Sequence, residues 1–443
     1  MAMYSLLLCS LFVDFRGLTM KKRVLVATQV IIMSMAVADD MPITAREQGL
    51  MIGSPPPAEK LVTIENFLTP PHNRWSLQHL REIVPTRSAA TGDSVAALST
   101  RDVDLSGLQV SFPDGRTVVV GDWLESAYTD GFIVLHKGDV VYERYFNDQT
   151  PATQHLMFSV TKSFTGTMAL MLMEQGLIDA DALVASYLPE LKDTAFGDAT
   201  VQQMLDMTNS IDYVEDYYQP DAHITGFLNA MMPGGEGLYS NLQTLTDKNE
   251  NFAHGDAFHY VTPDPEVLGW IIRRITGGNL ADALEKMIWV PLGAEHEGYY
   301  WLDFHGVEMA GGGLAITLRD AARFGQMILQ DGAYNGRQVI SAEIAQRIKT
   351  KRNADRFNLY YNDPWFELVA DSYHDQWWGY TGVDAVAGLG IHGQFIYINS
   401  DADVVIAKHS SDPDAESERV DSETAFVMHA ISKRLGQGGG ATP

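Results

Sequence analysis

The stretch from His155 to Gly176 places a hydroxyl and an amine where they could act together. Ser159 and Lys162 are three residues apart, so on a helix their side chains lie on one face. A lysine that burial keeps neutral can take the proton of a serine hydroxyl, which then becomes a nucleophile. The dipole and the free N–H groups at a helix N-terminus favour the negative charge that develops there.

The residues that follow predict the element that positions this pair. After Phe164 the sequence is apolar on all sides through Met168–Met173, as in a helix buried at the centre of a protein. Gly176 can end that helix in a left-handed conformation. Gly166 would let another element approach the helix closely.

The wider pattern predicts a sheet made from both chain ends. Residues 132–146 predict a β-hairpin turning at 137–139, while 394–398 and 404–408 predict two strands near the end of the chain. Helical signals dominate from about 155 to 300 and again at about 318–330 and 422–435. Two stretches are expected to be loops, 86–106 and 212–247. The fold class is therefore α/β, of the α+β kind: an antiparallel sheet flanked by helices, with an inserted all-helical lobe.

The N-terminal region has the pattern of an export signal. A basic start, Met20–Arg23, precedes an apolar run, Val24–Met35, and a small-residue cleavage site at Ala36–Ala38. We expect 1–38 to be a signal peptide with an upstream extension, and the protein to be periplasmic or secreted. An uncleaved anchor, and a start at Met1 or at Met20, stay open. An extended lead-in is expected at 39–70, one large folded domain at 71–436 and a disordered tail at 437–443.

Composition excludes some classes of partner. The net charge of −26 on 443 residues argues against nucleic acid and anionic membrane surfaces as partners. No stretch after the signal is long and apolar enough to span a membrane. The one cysteine, Cys9, lies in the part that cleavage would remove, so a mature chain has no disulfide and no cysteine metal site.

Ser-x-x-Lys is a weak signal by itself, because a chain of this length carries one or two by chance. Other hydrolase and nucleotide motifs are missing from the sequence: Gly-x-Ser-x-Gly, His-Glu-x-x-His and Gly-x-x-x-x-Gly-Lys do not occur. A Ser-His-Asp triad therefore has no motif to support it, and Ser159 with Lys162 remains the best candidate.

Several short sequence motifs carry a resemblance that extends over about residues 70–435. In this setting Ser159–Lys162 resembles the penicillin-recognising serine hydrolases, the superfamily of the class C β-lactamases, DD-peptidases and related esterases. Within it, the sequence resembles the 6-aminohexanoate-dimer (nylon-oligomer) hydrolase branch. The motifs that carry the resemblance are Pro71-His-Asn-Arg-Trp75, Met157-Phe-Ser-Val-Thr-Lys-Ser163, Leu205-Asp-Met207, Ser210–Tyr217, Tyr260, Val267-Leu-Gly-Trp270, Gln376-Trp-Trp378 and Gly390-Ile-His-Gly-Gln394.

The resemblance implies catalytic roles. Ser159 would be the acylated nucleophile, Lys162 its general base and Tyr260 the tyrosine that passes a proton to the leaving group. The N–H groups of Ser159 and Ile391 would form the oxyanion hole. The usual Tyr-x-Asn is here Tyr260-Val-Thr262, a change that the nylon-oligomer branch shares. Without the resemblance, Tyr260 would be taken for a packed aromatic residue. No metal or cofactor is implied.

The resemblance also implies substrate-binding positions: Tyr217, which would close over the substrate, Gly311, where the family has an asparagine, His392 and Trp378. A structural role for His392 is equally open. An acidic residue that binds the substrate amine would follow Tyr217; Asp221 is a candidate by vicinity only. The acidic residues of this loop are Asp212, Glu215, Asp216, Asp221 and Glu236, and they could equally be solvated surface.

The expected function is a serine hydrolase that cleaves small linear amides or esters through an acyl-serine. Gly388-Leu-Gly-Ile-His-Gly-Gln394 stands where the superfamily has a strand with Lys-Thr-Gly, so an anchor for a β-lactam carboxylate is missing, which counts against penicillin. Two alternatives stay open: a carboxylesterase of the same fold and a non-catalytic, penicillin-binding-like protein. The expected partner is a small molecule, and a homodimer is left open.

Overall fold

The structure is a computed structural model that describes residues 41–350, 354–360 and 369–437. The export signal expected within residues 1–38 lies outside these residues, as does the expected tail beyond residue 437. Among the described residues, no helix has both the length and the apolar character that crossing a membrane requires.

Seven strands form one antiparallel sheet. Its order is β11-β12-β13-β14-β15-β4-β5, so strands from the two ends of the chain meet between β15 and β4. A smaller sheet has the order β1-β7-β8-β6, and the remaining strands form two-stranded ribbons. The strands are β1 Thr86–Ala89, β2 Gln109–Ser111, β3 Thr117–Val119, β4 Thr129–His136, β5 Asp139–Tyr145, β6 Gln154–Leu156, β7 Gly298–Trp301, β8 Leu314–Thr317, β9 Ala333–Tyr334, β10 Arg337–Gln338, β11 Ser372–His374, β12 Trp377–Tyr380, β13 Ala385–Gly390, β14 Gln394–Asn399 and β15 Val404–Ser410.

The helices are concentrated between β6 and β7, where every regular element is helical, as the sequence predicts. They are α1 Asn73–Ser76, α2 Val120–Ser126, α3 Val160–Glu174, α4 Val184–Tyr187, α5 Val201–Leu205, α6 His223–Met231, α7 Leu238–Thr244, α8 Pro263–Thr276, α9 Leu280–Leu284, a π-helical turn Glu285–Trp289, α10 Val290–Leu292, α11 Leu318–Leu329, α12 Ala342–Thr350, α13 Ala354–Tyr360 and α14 Glu418–Gly436, with short 3-10 turns at Ala58–Lys60, Leu80–Glu82, Pro189–Leu191 and Ile391–Gly393.

The large sheet has a hydrophobic core on each face, because successive strand residues point to opposite sides. In β4, Ile133 and Leu135 join the core that contains α3 and α11. Phe132 and Val134 join the core that contains α2 and α14. The strand is buried along its whole length, and its central residues, Phe132–Leu135, are accordingly a continuous apolar run rather than an alternating pattern.

The elements before the nucleophile fold as their local sequence predicts. Lys137 and Gly138 have positive φ angles of 55° and 83°, as the two-residue turn between β4 and β5 requires. Helix α3 ends at Glu174, and Gly176 follows with φ 69°, in the left-handed conformation.

Three expectations about loops differ from the structure. Residues 86–89, expected to be loop, form β1 and pair with Gly298–Trp301 across more than 200 residues of sequence. The stretch 212–247 contains α6 and α7. Residues 41–70 are not extended: they form turns, because apolar side chains placed among the prolines, Leu50, Val62 and Phe67, are buried.

Candidate active site

Ser159 lies at the N-terminal cap position of α3, immediately after β6. The residue before it, Phe158, has a positive φ of 44°, a conformation that few non-glycine residues adopt. This sharp turn joins the small sheet to the central helix and directs the hydroxyl towards two cavities. Ser159 is 8% exposed, so it is accessible only through those cavities.

Lys162 lies one turn further along α3, and three oxygen atoms surround its amine. Nζ lies 2.8 Å from Ser159 Oγ, 3.1 Å from Thr262 Oγ1 and 2.8 Å from the carbonyl oxygen of Gly311. Lys162 is 2% exposed. The three-residue spacing therefore brings the two side chains into contact, as the sequence predicts.

The hydrogen bonds around Lys162 fix the direction of its lone pair. The carbonyl oxygen of Gly311 can only accept a hydrogen bond. The Thr262 hydroxyl donates its proton to Glu215 Oε1 at 2.6 Å, so its oxygen must accept from Lys162. A neutral amine has two N–H donors, and these two acceptors use both of them. The remaining position of Nζ, which holds the lone pair, faces the Ser159 hydroxyl.

The surroundings of Lys162 favour its neutral form. Burial lowers the pKa of Lys162 to about 8, and the negative charges of Glu215, Glu266 and Asp264 partly oppose this shift. Near neutral pH a useful fraction of the amine is therefore unprotonated and can act as a general base.

Tyr260 lies beside this pair on the wall of the first cavity. Its ring centroid is 5.0 Å from Lys162 Nζ. The ring stacks on Trp378 at 5.2 Å and meets Tyr373 edge-on at 5.9 Å, which holds its orientation. The structure thus brings Ser159, Lys162 and Tyr260 together, with Tyr260 on the first cavity, Lys162 on the second and Ser159 on both.

Glu215 organises the other side of the cavity. Its carboxylate accepts hydrogen bonds from the Thr262 N–H at 2.6 Å and from the Tyr217 hydroxyl at 2.9 Å, besides that from Thr262 Oγ1. Tyr217 lines both cavities, so one carboxylate fixes the tyrosine over the site and the acceptor that orients Lys162.

The two backbone groups expected to form an oxyanion hole are neighbours in the structure. The pairing of β13 with β14 ends at Gly390, so the N–H of Ile391 lies beyond the ladder. A Cβ atom on Gly390 would lie 3.1 Å from the Ser159 nitrogen and 2.4 Å from the Met157 carbonyl oxygen. Only glycine permits this close approach, which brings the end of β13 against the start of α3.

Of the remaining predicted positions, three line the cavities and one does not. Trp378 lines the first cavity, and Gly311 and His392 line the second. Gly311 has no side chain to bind substrate; its carbonyl oxygen holds Lys162. Asp221 is exposed and lines neither cavity, and of the acidic loop only Glu215 does so.

His392 has a structural role as well as a place at the cavity. Its Nδ1–H donates to the carbonyl oxygen of Asp412 at 2.7 Å, and its backbone N–H donates to that of Ala415. Burial lowers the pKa of His392 to about 4, so the ring is neutral. Its left-handed backbone, φ 61°, turns the chain immediately after Ile391.

Two cavities meet at Ser159, and Tyr217, Ile391 and Ala415 also line both. The first has a volume of about 370 Å³ and the second of about 290 Å³. Among the described residues, no group of three or more His, Cys, Asp or Glu side chains could hold a metal ion. The site can thus bind a substrate across a hydroxyl, an amine and two backbone donors.

Sequence reasoning missed the acidic residues of the first cavity at the start of α14. Glu416, Glu418 and Asp421 lie about 200 residues from Glu215 in the chain, and the fold brings all four to one wall. Acidic residues in the first turn of a helix are common, because they complement its dipole. Their sequence pattern therefore gave no signal of a site.

Comparison with known proteins places this site in a family. A family model described as Beta-lactamase matches residues 124–427, which is more than half of the chain. The chain belongs to the beta-lactamase family. The predicted fold class is confirmed, because the antiparallel sheet from both chain ends, the flanking helices and the inserted helical region are shared with solved members.

Within the beta-lactamase family, the chain is similar to proteins named for one activity. It is 31% identical over 405 residues to the 6-aminohexanoate-dimer hydrolase of Paenarthrobacter ureafaciens, covering 88% of this chain and 97% of the relative. A solved structure from Bacillus anthracis, provisionally named 6-aminohexanoate-dimer hydrolase, matches with a TM-score of 0.76 and 32% identity over 86% of this chain and 99% of that one. The resemblance to this branch is confirmed.

A more distant structure shares the fold alone. EstCE1, a hydrolase with promiscuous acyltransferase activity, matches with a TM-score of 0.57 at 14% identity, over 70% of this chain and 96% of that one. Different chemistries thus use this fold, and the substrate must be argued from the site itself.

Proposed function

We propose that this protein is a serine hydrolase that cleaves small linear amides or esters through an acyl-serine intermediate. The observation that carries the proposal is the position of Lys162 Nζ, 2.8 Å from Ser159 Oγ and held by two other acceptors, Thr262 Oγ1 and the Gly311 carbonyl oxygen. In the neutral amine this leaves the lone pair directed at the Ser159 hydroxyl. The two relatives named for hydrolysis of an amide-linked dimer support the same reaction class.

In the first half of the reaction Lys162 takes the Ser159 proton and Oγ bonds to the substrate carbonyl carbon. The negative charge on the carbonyl oxygen is held by the N–H groups of Ser159 and Ile391, and two such donors lower a barrier by a few kcal/mol. The bond from the carbonyl carbon to the leaving oxygen or nitrogen then breaks. The proton held by Lys162 passes to that atom, with Tyr260 as the shuttle.

In the second half, water releases the acyl group. A water molecule gives one proton to the same base and bonds to the acyl carbon. The bond to Ser159 Oγ breaks, Oγ regains a proton, and a carboxylic acid leaves. Each turnover thus consumes one water and restores the enzyme.

The residues around the cavities disfavour a β-lactam as substrate. Four carboxylate residues line the first cavity, and Gly388–Gly390 replaces the strand lysine that would bind a β-lactam carboxylate. Of the described residues that line either cavity, Lys162 is the only lysine or arginine, and its amine is engaged by Ser159, Thr262 and Gly311.

Turnover of two substrates tests the proposal. The two substrates are p-nitrophenyl butyrate, an ester, and the linear dimer of 6-aminohexanoate, an amide. Because esters are easier to cleave, turnover of the ester alone indicates an esterase, and turnover of both substrates indicates an amidase. Ser159→Ala should lower kcat by about a thousandfold or more. Ser163→Ala is the matched control: this neighbouring hydroxyl donates to the carbonyl oxygen of Gln376, away from the cavities. Equal rates for wild type and Ser159→Ala would favour a non-catalytic binder.

A further inference from the structure

The two cavities that meet at Ser159 differ in polarity. The first contains Glu215, Glu416, Glu418 and Asp421. Among the described residues, no aspartate or glutamate lines the second cavity. Its wall is formed mainly by Leu68, Phe158, Ile224, Leu228, Trp301 and Met309. A substrate that spans the nucleophile therefore meets carboxylates on one side and apolar surface on the other.

The carboxylates of the first cavity are not fully used by the protein itself. Asp421 is 9% exposed, lines the cavity and makes no hydrogen bond or ion pair with any described residue through its carboxylate. Glu416 and Glu418 likewise show no side-chain hydrogen bond among the described residues. A helix dipole accounts for acidic residues in a first turn, but it does not account for a carboxylate that is nine-tenths buried, lines the cavity and accepts no hydrogen bond from a described residue.

Burial and mutual repulsion act against these negative charges. Burial raises the pKa of Asp421, although the nearby amine of Lys408 opposes the shift. Burial raises the pKa of Glu416 to about 7, and the charges of Glu215 and Asp216 add to this. A cation in the cavity would relieve both effects, whereas a carboxylate would add to the repulsion.

Among the described residues, the second cavity has no comparable carboxylates that could stabilise a cation. Its ionisable groups include Lys162, whose amine is engaged by three oxygen atoms, and His392, which is neutral. A charged group placed there would lose its water without gaining a counter-charge, which is costly. An uncharged alkyl or aryl group would instead gain from burial against the apolar wall.

The position of Tyr260 decides which half of the substrate enters which cavity. Tyr260 lines the first cavity and not the second. Because the proposed proton shuttle must reach the leaving atom, the leaving group lies on that side. The acyl group then lies in the second cavity, next to Gly311 and His392.

We propose that the substrates of this enzyme join an uncharged, apolar acyl group to a cationic leaving group, such as an amino alcohol, an amine-bearing thiol or a diamine. This inference rests on the proposed acyl-serine chemistry and specifies its substrate class. Ser159 Oγ bonds to the carbonyl carbon, the cationic alcohol, thiol or amine leaves with the proton, and water then releases the apolar acid. The zwitterionic amino acid dimer, with a carboxylate on its leaving half, is a poorer substrate.

A matched set of thioesters tests the charge preference. Butyrylthiocholine is compared with its neutral isostere, in which tert-butyl replaces trimethylammonium, and with an analogue that carries a carboxylate there. A fourth substrate carries the trimethylammonium group on the acyl half and tert-butyl on the thiol half. We expect kcat/KM for butyrylthiocholine to exceed that of its isostere about tenfold, with the carboxylate analogue and the reversed substrate below the isostere. Added salt should reduce the preference, since the charges are partly solvent-exposed.

The double variant Glu418→Gln/Asp421→Asn tests whether the carboxylates of the first cavity cause the preference for a cationic leaving group. The ratio of kcat/KM for butyrylthiocholine to that for the isostere should fall to about two. The control Glu174→Gln/Glu250→Gln removes the same charge from exposed positions and should keep the wild-type ratio. A longer apolar acyl chain should raise kcat/KM by about threefold per methylene until the second cavity is full.

The outcomes separate this inference from the function on which it rests. Turnover of the neutral isostere that depends on Ser159 tests the acyl-serine chemistry alone. If that turnover is present, a ratio near one overturns the inference. So does a ratio that survives the Glu418→Gln/Asp421→Asn change, or a preference for the reversed or carboxylate-bearing substrate. If no thioester is turned over while p-nitrophenyl butyrate is cleaved in a way that depends on Ser159, this inference is overturned and the proposed function stands. If neither the thioesters nor p-nitrophenyl butyrate is turned over, both fail.

Discussion

At the scale of single residues, the reactivity of Ser159 depends on how Lys162 is held. Thr262 Oγ1 and the Gly311 carbonyl take the two N–H groups of the neutral amine, and burial keeps the amine from holding its proton tightly. Thr262 is in turn committed as an acceptor because Glu215 receives its hydroxyl proton. The base is therefore prepared before any substrate binds.

The pH dependence of acylation should report the protonation of Lys162. Only the neutral amine can accept the Ser159 proton, so kcat/KM for an ester should rise with pH and level off above about 8. Glu215 favours the charged amine, so Glu215→Gln should move the midpoint to lower pH. Stopped-flow acylation rates from pH 5 to 10 measure it. The control Glu250→Gln, at an exposed site, should leave the pH midpoint unchanged. If the pH midpoint of Glu215→Gln equals or exceeds that of the wild type, the proposed role of this carboxylate is contradicted.

The Thr262 hydroxyl gives a second prediction at this scale. Thr262→Val removes the acceptor that occupies one Lys162 N–H, so the lone pair is no longer held towards Ser159. We expect kcat to fall about tenfold, the value of roughly one hydrogen bond, with KM little changed. Thr262→Ser keeps the hydroxyl and should retain most of the activity. A loss of kcat in Thr262→Ser with near wild-type kcat in Thr262→Val would show that the methyl packing, not the hydroxyl, matters.

At the scale of elements, the site depends on the close approach of β13 to the start of α3. Gly390 allows it, since a Cβ there would meet the Met157 carbonyl oxygen at 2.4 Å and the Ser159 nitrogen at 3.1 Å. Helix α3 is approached in the same way on another side, where a Cβ on Gly166 would lie 2.5 Å from the Asp375 carbonyl oxygen. Both glycines are needed for space, not for an unusual backbone conformation.

Gly390→Ala should therefore damage catalysis by separating the Ser159 and Ile391 N–H groups. We expect kcat to fall about a hundredfold, as when one oxyanion donor is lost. Gly382→Ala is the control in the turn between β12 and β13, where a Cβ meets nothing within 4 Å. Steady-state kinetics with circular dichroism to check folding would measure the effect; wild-type kcat in Gly390→Ala would refute the assigned oxyanion hole.

The elements also show what the sequence could and could not predict. Helix α3, its left-handed end at Gly176 and the β4–β5 hairpin depend on neighbouring residues, so local pattern was sufficient. Strand β1 was missed because it is stabilised by pairing with β7, which lies more than 200 residues later. The acidic wall was missed for the same reason: Glu215 and Asp421 come from distant segments, and neither has a local motif.

At the scale of the whole molecule, a buried polar network joins the N-terminal segment to the site. Arg74 donates to Asp130 at 3.2 Å and to Ser411 at 2.8 Å. Asn73 donates to the Asp412 carbonyl oxygen, which also accepts from His392 beside the oxyanion hole. The motif Pro71–Trp75, recognised in the sequence only by resemblance, thus connects the segments around Asp130 and Asp412.

Removing Arg74 should cost much of the stability of the protein. Burial alone would raise the pKa of Asp130, but the charge of Arg74 and a hydrogen bond from His155 hold it below its ordinary value. Arg74→Met leaves that carboxylate, which is fully buried, with too little compensation, so the free energy of unfolding should fall by about 3–5 kcal/mol. Urea denaturation measures it.

A matched surface pair controls for the loss of charge. Arg46 pairs with Asp148, and both side chains are largely exposed. Arg46→Met should change the free energy of unfolding by less than about 0.5 kcal/mol. Similar losses for Arg46→Met and Arg74→Met would contradict the importance of the buried network.

The central claim is that a neutral Lys162 makes Ser159 the acylated residue, and trapping the covalent intermediate tests it most directly. The protein is treated with a fluorophosphonate, and its intact mass and peptide map are recorded for wild type, Ser159→Ala, Lys162→Met and the control Ser163→Ala. We predict one adduct, on Ser159, at wild-type rate in Ser163→Ala, much slower in Lys162→Met and absent in Ser159→Ala. An adduct on another residue, or labelling as fast in Lys162→Met as in the wild type, would contradict the account.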